Sequence, residues 1–409
     1  MEMYDICVVG GGASGLIAAI AAKKSSSELN VAIIEKNDRT GKKLINTGNG
    51  RCNITNAEIS AEHYHSSFDE FFSFFDGFSA ASTKNFFNDL GVLFKEEDSG
   101  KIYPYSMQAS SVLDVLRYEC ERLGVEILCS ERVKSVIRNK ELFEIATDKN
   151  VYKSSSVIIA AGGAASDKLG GCSDGYSILK SFGHGCTDLY PSITAVKTKT
   201  DSIKPLKGIK TDATLTLNAG KNKKSMFGEI LFTEYGLSGP PVLQLSQMLH
   251  GKSDGAYFTI DFMTEYSYED VVEYIKKRQY SVYEDRLENM FVGLLNKRIG
   301  QVVVKSAGFA LSDFASQLTE RKIRSIAAEI KKFRLLVTGV RGFEYAQVTG
   351  GGIKLDKFNS KTLESTLCKR LYACGEVLDI TGDCGGFNLQ WAWTSGYTAG
   401  VNAADSVKR

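Results

Sequence analysis

Compact apolar runs separated by glycine open the chain. Tyr4-Asp-Ile-Cys-Val-Val is followed by Gly10-Gly-Gly12-Ala13-Ser14-Gly15, then a largely apolar stretch, then Val31-Ala-Ile-Ile-Glu35. This pattern predicts strand, tight turn, helix and a second strand closing on an acid. Residues 36–56 lose the apolar periodicity and read as a loop rich in Gly, Asn and Thr. Phenylalanines recur at spacings of three and four between Phe68 and Phe87, which predicts amphipathic helices packed into a core. A helix is expected over Ala109–Leu123, and strands near Val125–Cys129, Val133–Ile137 and Phe143–Ala146. Val157-Ile-Ile-Ala-Ala161 is a buried-strand run that ends on Gly162-Gly163.

From Tyr190 the period changes. Thr194–Thr200 and Ala213–Asn218 alternate as half-buried strands, and Gly228–Thr233 and Ala256–Phe262 add two more. Glu265 to about Arg334 reads as helical, and Leu335–Thr338 returns to strand. Near the end, Arg370–Ala373 is a strand running to Gly375-Glu376. A loop over Asp379–Asn388 then leads to a closing helix at about Leu389–Val407. The expected organisation is an α/β domain in two pieces, 1–189 and 336–409. It is interrupted by an insert made of a small β unit at 190–263 and a helical stretch at 264–335.

Composition changes this picture little. The chain has 409 residues, 43% hydrophobic and 24% charged, as expected of a globular protein of two or three domains. No apolar run is long enough to cross a bilayer, and the N-terminus enters a strand too soon for a signal peptide. Nine cysteines without a C-x-x-C spacing, and only four histidines, argue for reduced thiols in a cytoplasm and against a metal site. Charge is more informative. The net +2 hides an excess of basic residues between Pro191 and Arg334. It is densest from Lys197 to Lys224, where eight lysines face Asp201 and Asp212. A solvated surface and an anionic partner both fit such a cluster.

The candidate chemistry begins at the first turn. Gly10 permits the turn, Gly12 leaves room for a pyrophosphate, and Gly15 lets the helix approach the sheet. The N–H groups at the helix start favour phosphate charge. Glu35, 20 residues beyond Gly15, is placed to accept from an adenosine ribose. In the following loop, Lys36, Lys43, Thr47, Gly48, Asn49, Gly50, Arg51, Cys52 and Asn53 offer backbone access and donors to a flat, polar ligand. Ala161, Gly162 and Gly163 suggest a second close backbone approach, although a simple turn would look the same.

Four separated stretches carry a family resemblance. They are Val8–Gly15, Lys42–Asn53, Ala373–Glu376 with Leu378-Asp379, and Gly385-Gly-Phe-Asn-Leu-Gln-Trp-Ala-Trp393; Phe232–Pro240 in the insert also matches. The sequence resembles the FAD-dependent oxidoreductases of the BaiN/RdsA (YhiN-like) family, within the glutathione-reductase-type flavoproteins. The resemblance implies extended FAD along Gly10, Gly12, Gly15 and Glu35, with Val133 meeting the adenine through its backbone. Gly375, Glu376 and Asp379 would lie by the ribityl and pyrophosphate region. Gly386, Asn388 and Leu389 would set a helix start beneath the pyrimidine end of the flavin. The insert would be a small β-barrel, 190–263, plus a helical subdomain, 264–335, closing over the reactive face of a Rossmann-like FAD-binding domain. Glu234 stands where some relatives carry histidine, so no catalytic role is expected of it.

No second strand–glycine turn–helix unit is present, so NAD(P)H is expected as a transient electron donor. The resemblance implies reduction of a conjugated C=C bond, either uridine of large-subunit (23S) ribosomal RNA or a small conjugated carbonyl such as a 3-oxo-steroid or bile-acid intermediate. Cys52 is the leading candidate acid, with Arg51 as a support for phosphate or carbonyl. Cys52 could equally be a packing residue. Tyr103 and Ser106 are weaker candidates, and His184 reads as structural. The lysines, with Lys221, Lys223 and Lys224 as the named contacts, favour RNA. A flavin-binding sensor or structural protein is the non-enzymatic alternative. The sequence fixes no oligomeric state.

Overall fold

The structure, a computed structural model, describes residues 2–97, 99–281 and 285–408. It contains two compact units, residues 1–191 with 347–409, and residues 192–346.

The first unit is built on a parallel sheet. Met3–Val9 pairs in parallel with Val31–Glu35 on one side and with Val151–Ile159 on the other. Glu126–Cys129 extends the sheet beyond Val31–Glu35, and Leu371–Ala373 joins it at Val157–Ile159. Every residue of Val31–Glu35 is buried, as a central parallel strand requires. Val133–Asn139 and Leu142–Thr147 form an antiparallel hairpin that pairs with the start of Val151–Ile159. The first helix, Ala13–Ser25, is buried along most of its length, and Lys23 and Lys24 in its last turn complement the helix dipole.

The C-terminal helix, Phe387–Val407, lies against the first helix. A Cβ at Gly396 would sit 2.4 Å from the Ser14 carbonyl oxygen, and one at Gly400 would sit 2.2 Å from that of Ala18. Backbone thus meets backbone at two glycines four residues apart, on one helix face. The other faces of this helix are also committed. Trp391 donates to the Gly375 carbonyl and Ser395 accepts from the Gly375 N–H. Trp393 donates to the Ile54 carbonyl. Phe75, Phe87 and Phe78 pack on Trp391, Trp393 and Tyr397 with ring centroids 5.1, 5.1 and 4.3 Å apart. The phenylalanine-rich stretch therefore enters the core as expected. Its first part, however, is a 3-10 turn over Phe71–Phe75 before the α-helix Ala80–Asp89.

The second unit holds a closed six-stranded barrel: Val196–Thr198, Gly236–Ser238, Asn222–Phe232, Lys210–Ala219, Tyr257–Asp261 and Phe333–Val340. Two expectations need correction here. The helical stretch resolves into Tyr268–Arg278, Lys297–Ser306 and Glu320–Lys332, and these share one hydrophobic core with the barrel instead of forming a separate subdomain. The boundary expected at 335/336 also falls inside the strand Phe333–Val340. That strand pairs with Tyr257–Asp261 and Val196–Thr198 and so closes the barrel. The last helix runs into it without a break, so no loop marks the change.

The glycine contact gives a direct test. Gly396→Ala and Gly400→Ala should each destabilise the protein by about 1–3 kcal/mol through overpacking, read by urea unfolding. Wild-type midpoints for both would refute the close helix approach.

Candidate dinucleotide and active site

Each glycine of the first turn has a distinct physical cause. Gly10 has φ +110°, and a Cβ there would lie 2.5 Å from the Ala160 carbonyl oxygen. A Cβ at Gly15 would lie 1.9 Å from the Gly10 oxygen. At Gly12 a Cβ would meet no protein atom within 4 Å, so the absent side chain leaves open space at the helix start. Ala13 and Ser14 form the helix's first turn. Glu35 takes the Gly11 N–H at 2.7 Å on one oxygen, and the Asn37 N–H and amide at 2.8 and 2.7 Å on the other. Val133 begins its strand two residues after Glu131, whose N–H donates to the Glu35 carbonyl. Its backbone is thereby brought to the same end of the sheet.

The polar loop is wound unusually. Gly48, Asn49, Gly50 and Cys52 all have positive φ, at 57°, 56°, 82° and 59°. Asn49 and Cys52 are the costly ones, because non-glycine residues seldom adopt this region. The turn is closed by Arg51 N–H to the Gly48 carbonyl, Cys52 N–H to that of Thr47, and the Thr47 hydroxyl to that of Leu44. Lys43 pairs with Glu376 at 2.6 Å, and the second Glu376 oxygen accepts from the Thr349 N–H at 2.8 Å. Lys36 reaches the Gly171 carbonyl at 3.5 Å. Gly162 has φ +71° and open space around it. A Cβ at Gly163 would collide with Glu376 and Thr349, so its close approach is to the protein itself.

At the far end, Gly386 has φ +98° and lies against the Thr55 carbonyl, directly before the C-terminal helix. The first turn of that helix carries Asn388 and Leu389. Buried Asn53 lies beside Gly386, and its side-chain oxygen has no hydrogen-bond partner among the described residues.

Several expected ligand contacts find protein partners instead. The Asn388 amide bonds Gly382 through both ends, at 2.8 and 2.8 Å, so it braces the loop and leaves its backbone N–H as what it can offer a ligand. Asp379 accepts from the N–H and hydroxyl of Ser67. Arg51 bonds the Gly48 carbonyl, lies 4.6 Å above the Tyr103 ring and pairs with Glu97 at 3.4 Å. Cys52 is fully buried, and that burial pushes its thiol up to about 12. A thiol with no accessible surface and so weak an acidity does not suit proton transfer to a substrate, so the structure favours the packing reading. Tyr103 is buried, and Ser106 is exposed and bonded to Ser111.

His184 is structural, as expected. It is buried, stacks on Phe358 at 4.4 Å and bonds Ser365 at 2.9 Å, and burial lowers its pKa. Glu234 is exposed and ion-paired to Lys207 at 2.7 Å, which holds its carboxyl below the usual range. Three residues outside the sequence-based expectations also meet: His63, His65 and Asp383. Asp383 is buried and lies 3.4 Å from His63 and 3.0 Å from His65. The signal available in the sequence was His-x-His, two of only four histidines at strand spacing.

A parallel sheet with a glycine turn, a helix N-terminus and an acid ending the second strand defines a Rossmann-type dinucleotide-binding protein. The chain belongs to the HI0933-like family: the family model described as HI0933-like protein Rossmann domain matches residues 4–402. It is 36% identical to the 3-dehydro-bile acid delta(4,6)-reductase of Clostridium scindens, over 98% of this chain and 100% of that protein. It is 28% identical to the ribosomal RNA dihydrouridine synthase of Haemophilus influenzae, over 98% and 99%. Among solved structures, a mutant form of the E. coli quinol fumarate reductase subunit FrdA superposes with a TM-score of 0.50 at 15% identity, covering 100% of this chain and 71% of that one. The chain is an oxidoreductase of this family.

The residues fit a bound FAD. Open space at Gly12 meets the helix N-terminus where a pyrophosphate needs both, and the unsatisfied Asn53 oxygen is an acceptor suited to a flavin N–H. Gly12→Ala, at φ −80°, should leave folding unchanged and reduce FAD content. Wild-type flavin loading would remove Gly12 from the site. Iodoacetamide at mildly alkaline pH should label exposed Cys384 well before Cys52, and equal labelling would show the Cys52 thiol to be reachable.

Proposed function

We propose that this protein is an FAD-dependent, NAD(P)H-consuming reductase that converts uridine to dihydrouridine in large-subunit ribosomal RNA. The observation that carries the RNA reading is how the basic cluster divides. Lys204, Lys207 and Lys210 spend their charge on Asp201, Glu234 and Glu229, at 3.1, 2.7 and 2.9 Å. Lys221, Lys223 and Lys224, at the tip of the Lys210–Phe232 hairpin, are exposed and have no carboxylate partner among the described residues. Three unneutralised ammonium groups at one hairpin end, Lys221 in the turn and Lys223 and Lys224 at the start of the strand Asn222–Phe232, suit a phosphate backbone. RNA also places the enzyme in the cytoplasm. Among the described residues no helix is long and apolar enough to cross a membrane, and no cluster of His, Cys, Asp or Glu could hold a metal.

The bound flavin would supply the hydride chemistry. Gly12 and the first turn of Ala13–Ser25 would receive the pyrophosphate, and Glu35 the adenosine ribose. The Thr47–Asn53 turn and the start of the C-terminal helix would hold the isoalloxazine, with Asn53 accepting from it. The N–H groups of that helix start favour negative charge placed there. The Lys43–Glu376 pair ties the loop to the end of the last strand of the sheet, which keeps the two walls in register.

A second reading has one observation in its favour. The relative named for bile-acid reduction is 36% identical to this chain, against 28% for the RNA-modifying relative. On that reading a small enone takes the place of uridine and meets the same hydride and proton transfers.

Two experiments separate them. Mass spectrometry of ribosomal RNA from a deletion strain should show loss of a dihydrouridine; an unchanged nucleoside profile refutes the RNA substrate. Reversing Lys221, Lys223 and Lys224 to glutamate should weaken RNA binding and flatten its salt dependence, by about 0.7–0.9 in log–log slope for each phosphate no longer neutralised. Wild-type binding at low salt would sink the lysine assignment.

A further inference from the structure

We propose that His63 donates the proton to the substrate α-carbon, with Asp383 as its positioning residue and His65 sharing the same carboxylate. The inference rests on the proposed reduction of a conjugated C=C bond. It stands on geometry from three segments that meet at the start of the C-terminal helix. The short strand Tyr64–His65 pairs antiparallel with Thr381–Gly382, placing His65 opposite Thr381. The next residue, Asp383, donates its N–H to the His63 carbonyl at 2.8 Å. Its two carboxylate oxygens then take one imidazole each, His65 Nε2 at 3.0 Å and His63 Nδ1 at 3.4 Å. The His63 ring stacks at 4.4 Å on Phe387, the first residue of the helix, and the Tyr64 hydroxyl donates to the Phe387 carbonyl at 3.0 Å. The cluster is thus fixed to the same helix start that the unsatisfied Asn53 oxygen approaches.

The charges suit a proton donor. Asp383 is buried, whereas the His63 and His65 side chains are 32% and 48% exposed. The Asp383 carboxylate holds the His63 ring by Nδ1, so Nε2 is the nitrogen assigned as the donor atom. Tyr64 and Cys384 are the other titratable groups brought near Asp383. Burial, and then the Asp383 charge, hold the Tyr64 hydroxyl well above its usual range. Desolvation raises the Cys384 thiol, and Lys101 and Asp383 act on it in opposite directions. Neither competes with an imidazolium as the acid near neutral pH.

The step balances. A bound flavin would supply the hydride to the β-carbon, which is C6 of a uracil. The π electrons of the double bond take the His63 proton at the α-carbon, which is C5. His63 is reprotonated from water, while Asp383 keeps the ring in place.

The test uses the FAD-loaded protein and two acceptors, a large-subunit rRNA transcript and a 3-oxo-4,6-diene bile acid. After anaerobic reduction with dithionite, flavin reoxidation by the acceptor should slow about 100-fold in His63→Gln. Dithionite reduction itself should be unaffected. In Asp383→Asn reoxidation should slow because the ring loses the carboxylate that orients it, and Asp383→Glu should restore part of the rate. A second readout needs no turnover. With only four histidines to assign, imidazole proton NMR should show the His63 and His65 resonances shifted in Asp383→Asn and those of His184 and His250 unmoved. Wild-type reoxidation in His63→Gln overturns the proposal, as do unmoved His63 and His65 resonances in Asp383→Asn. If neither acceptor reoxidises the wild type, the reductase reading fails and the proposal with it. A deficit confined to the variants would support both.

Discussion

The contact between the first and last helices is the constraint on which the first unit depends. Gly396 and Gly400 let Phe387–Val407 touch the backbone of Ala13–Ser25 at Ser14 and Ala18. Larger side chains at either position would force the helices apart, and the consequences would not stay local. Through Trp391 and Ser395 the same helix holds Gly375, at the end of the strand Leu371–Ala373. Through Trp393 it holds Ile54, at the exit of the glycine loop. A dinucleotide site assembled from both ends of the chain therefore takes its spacing from two hydrogen atoms where side chains would otherwise be.

Strain and charge are concentrated where that helix begins. The positive φ values of Asn49 and Cys52 cost free energy that only a surrounding packed structure can sustain. The packing is present: Cys52 and Ile54 are fully buried, and Trp393 clamps the segment. Burial of Cys52 also explains why a cysteine stands there. A small apolar side chain fits the space, and its raised pKa keeps it uncharged. His63 and His65, which remain partly exposed, are bound instead to Asp383. Packing and proton chemistry are thus divided between different residues of one small region.

The parts legible in the sequence were those with a local cause. Gly10, Gly12, Gly15 and Glu35 can be placed because a strand, a turn and a helix leave few ways to satisfy their backbone, and the structure has close backbone contacts at Gly10 and Gly15 and open space at Gly12. The barrel strands were legible from alternation, but their closure was not. Phe333–Val340 completes the barrel by pairing with strands far away in sequence, and no turn separates it from the helix before it. Asn388 looked like a ligand contact because it opens a helix; its amide is used up on Gly382, which only the folded loop reveals. The His63–Asp383 pair is separated by 320 positions, so no local pattern could join it. Only the His-x-His spacing was visible, without the carboxylate that gives it meaning.

The two relatives sharpen the question of specificity. One is named for a bile acid and the other for ribosomal RNA, yet each aligns over 98% of this chain and over nearly its own whole length. A change of acceptor in this family therefore needs no added or deleted domain, and differences between acceptors must be written in side chains on a shared framework. Charge that is already neutralised cannot serve that purpose, because an ion pair presents little net field to a phosphate. The Lys204, Lys207 and Lys210 pairs are of that kind, whereas the hairpin tip is not. On the RNA reading proposed above, the balance of a few lysines against their neighbouring carboxylates would direct this chain to its acceptor. Whole-chain similarity, which is higher to the bile-acid enzyme, does not measure that balance.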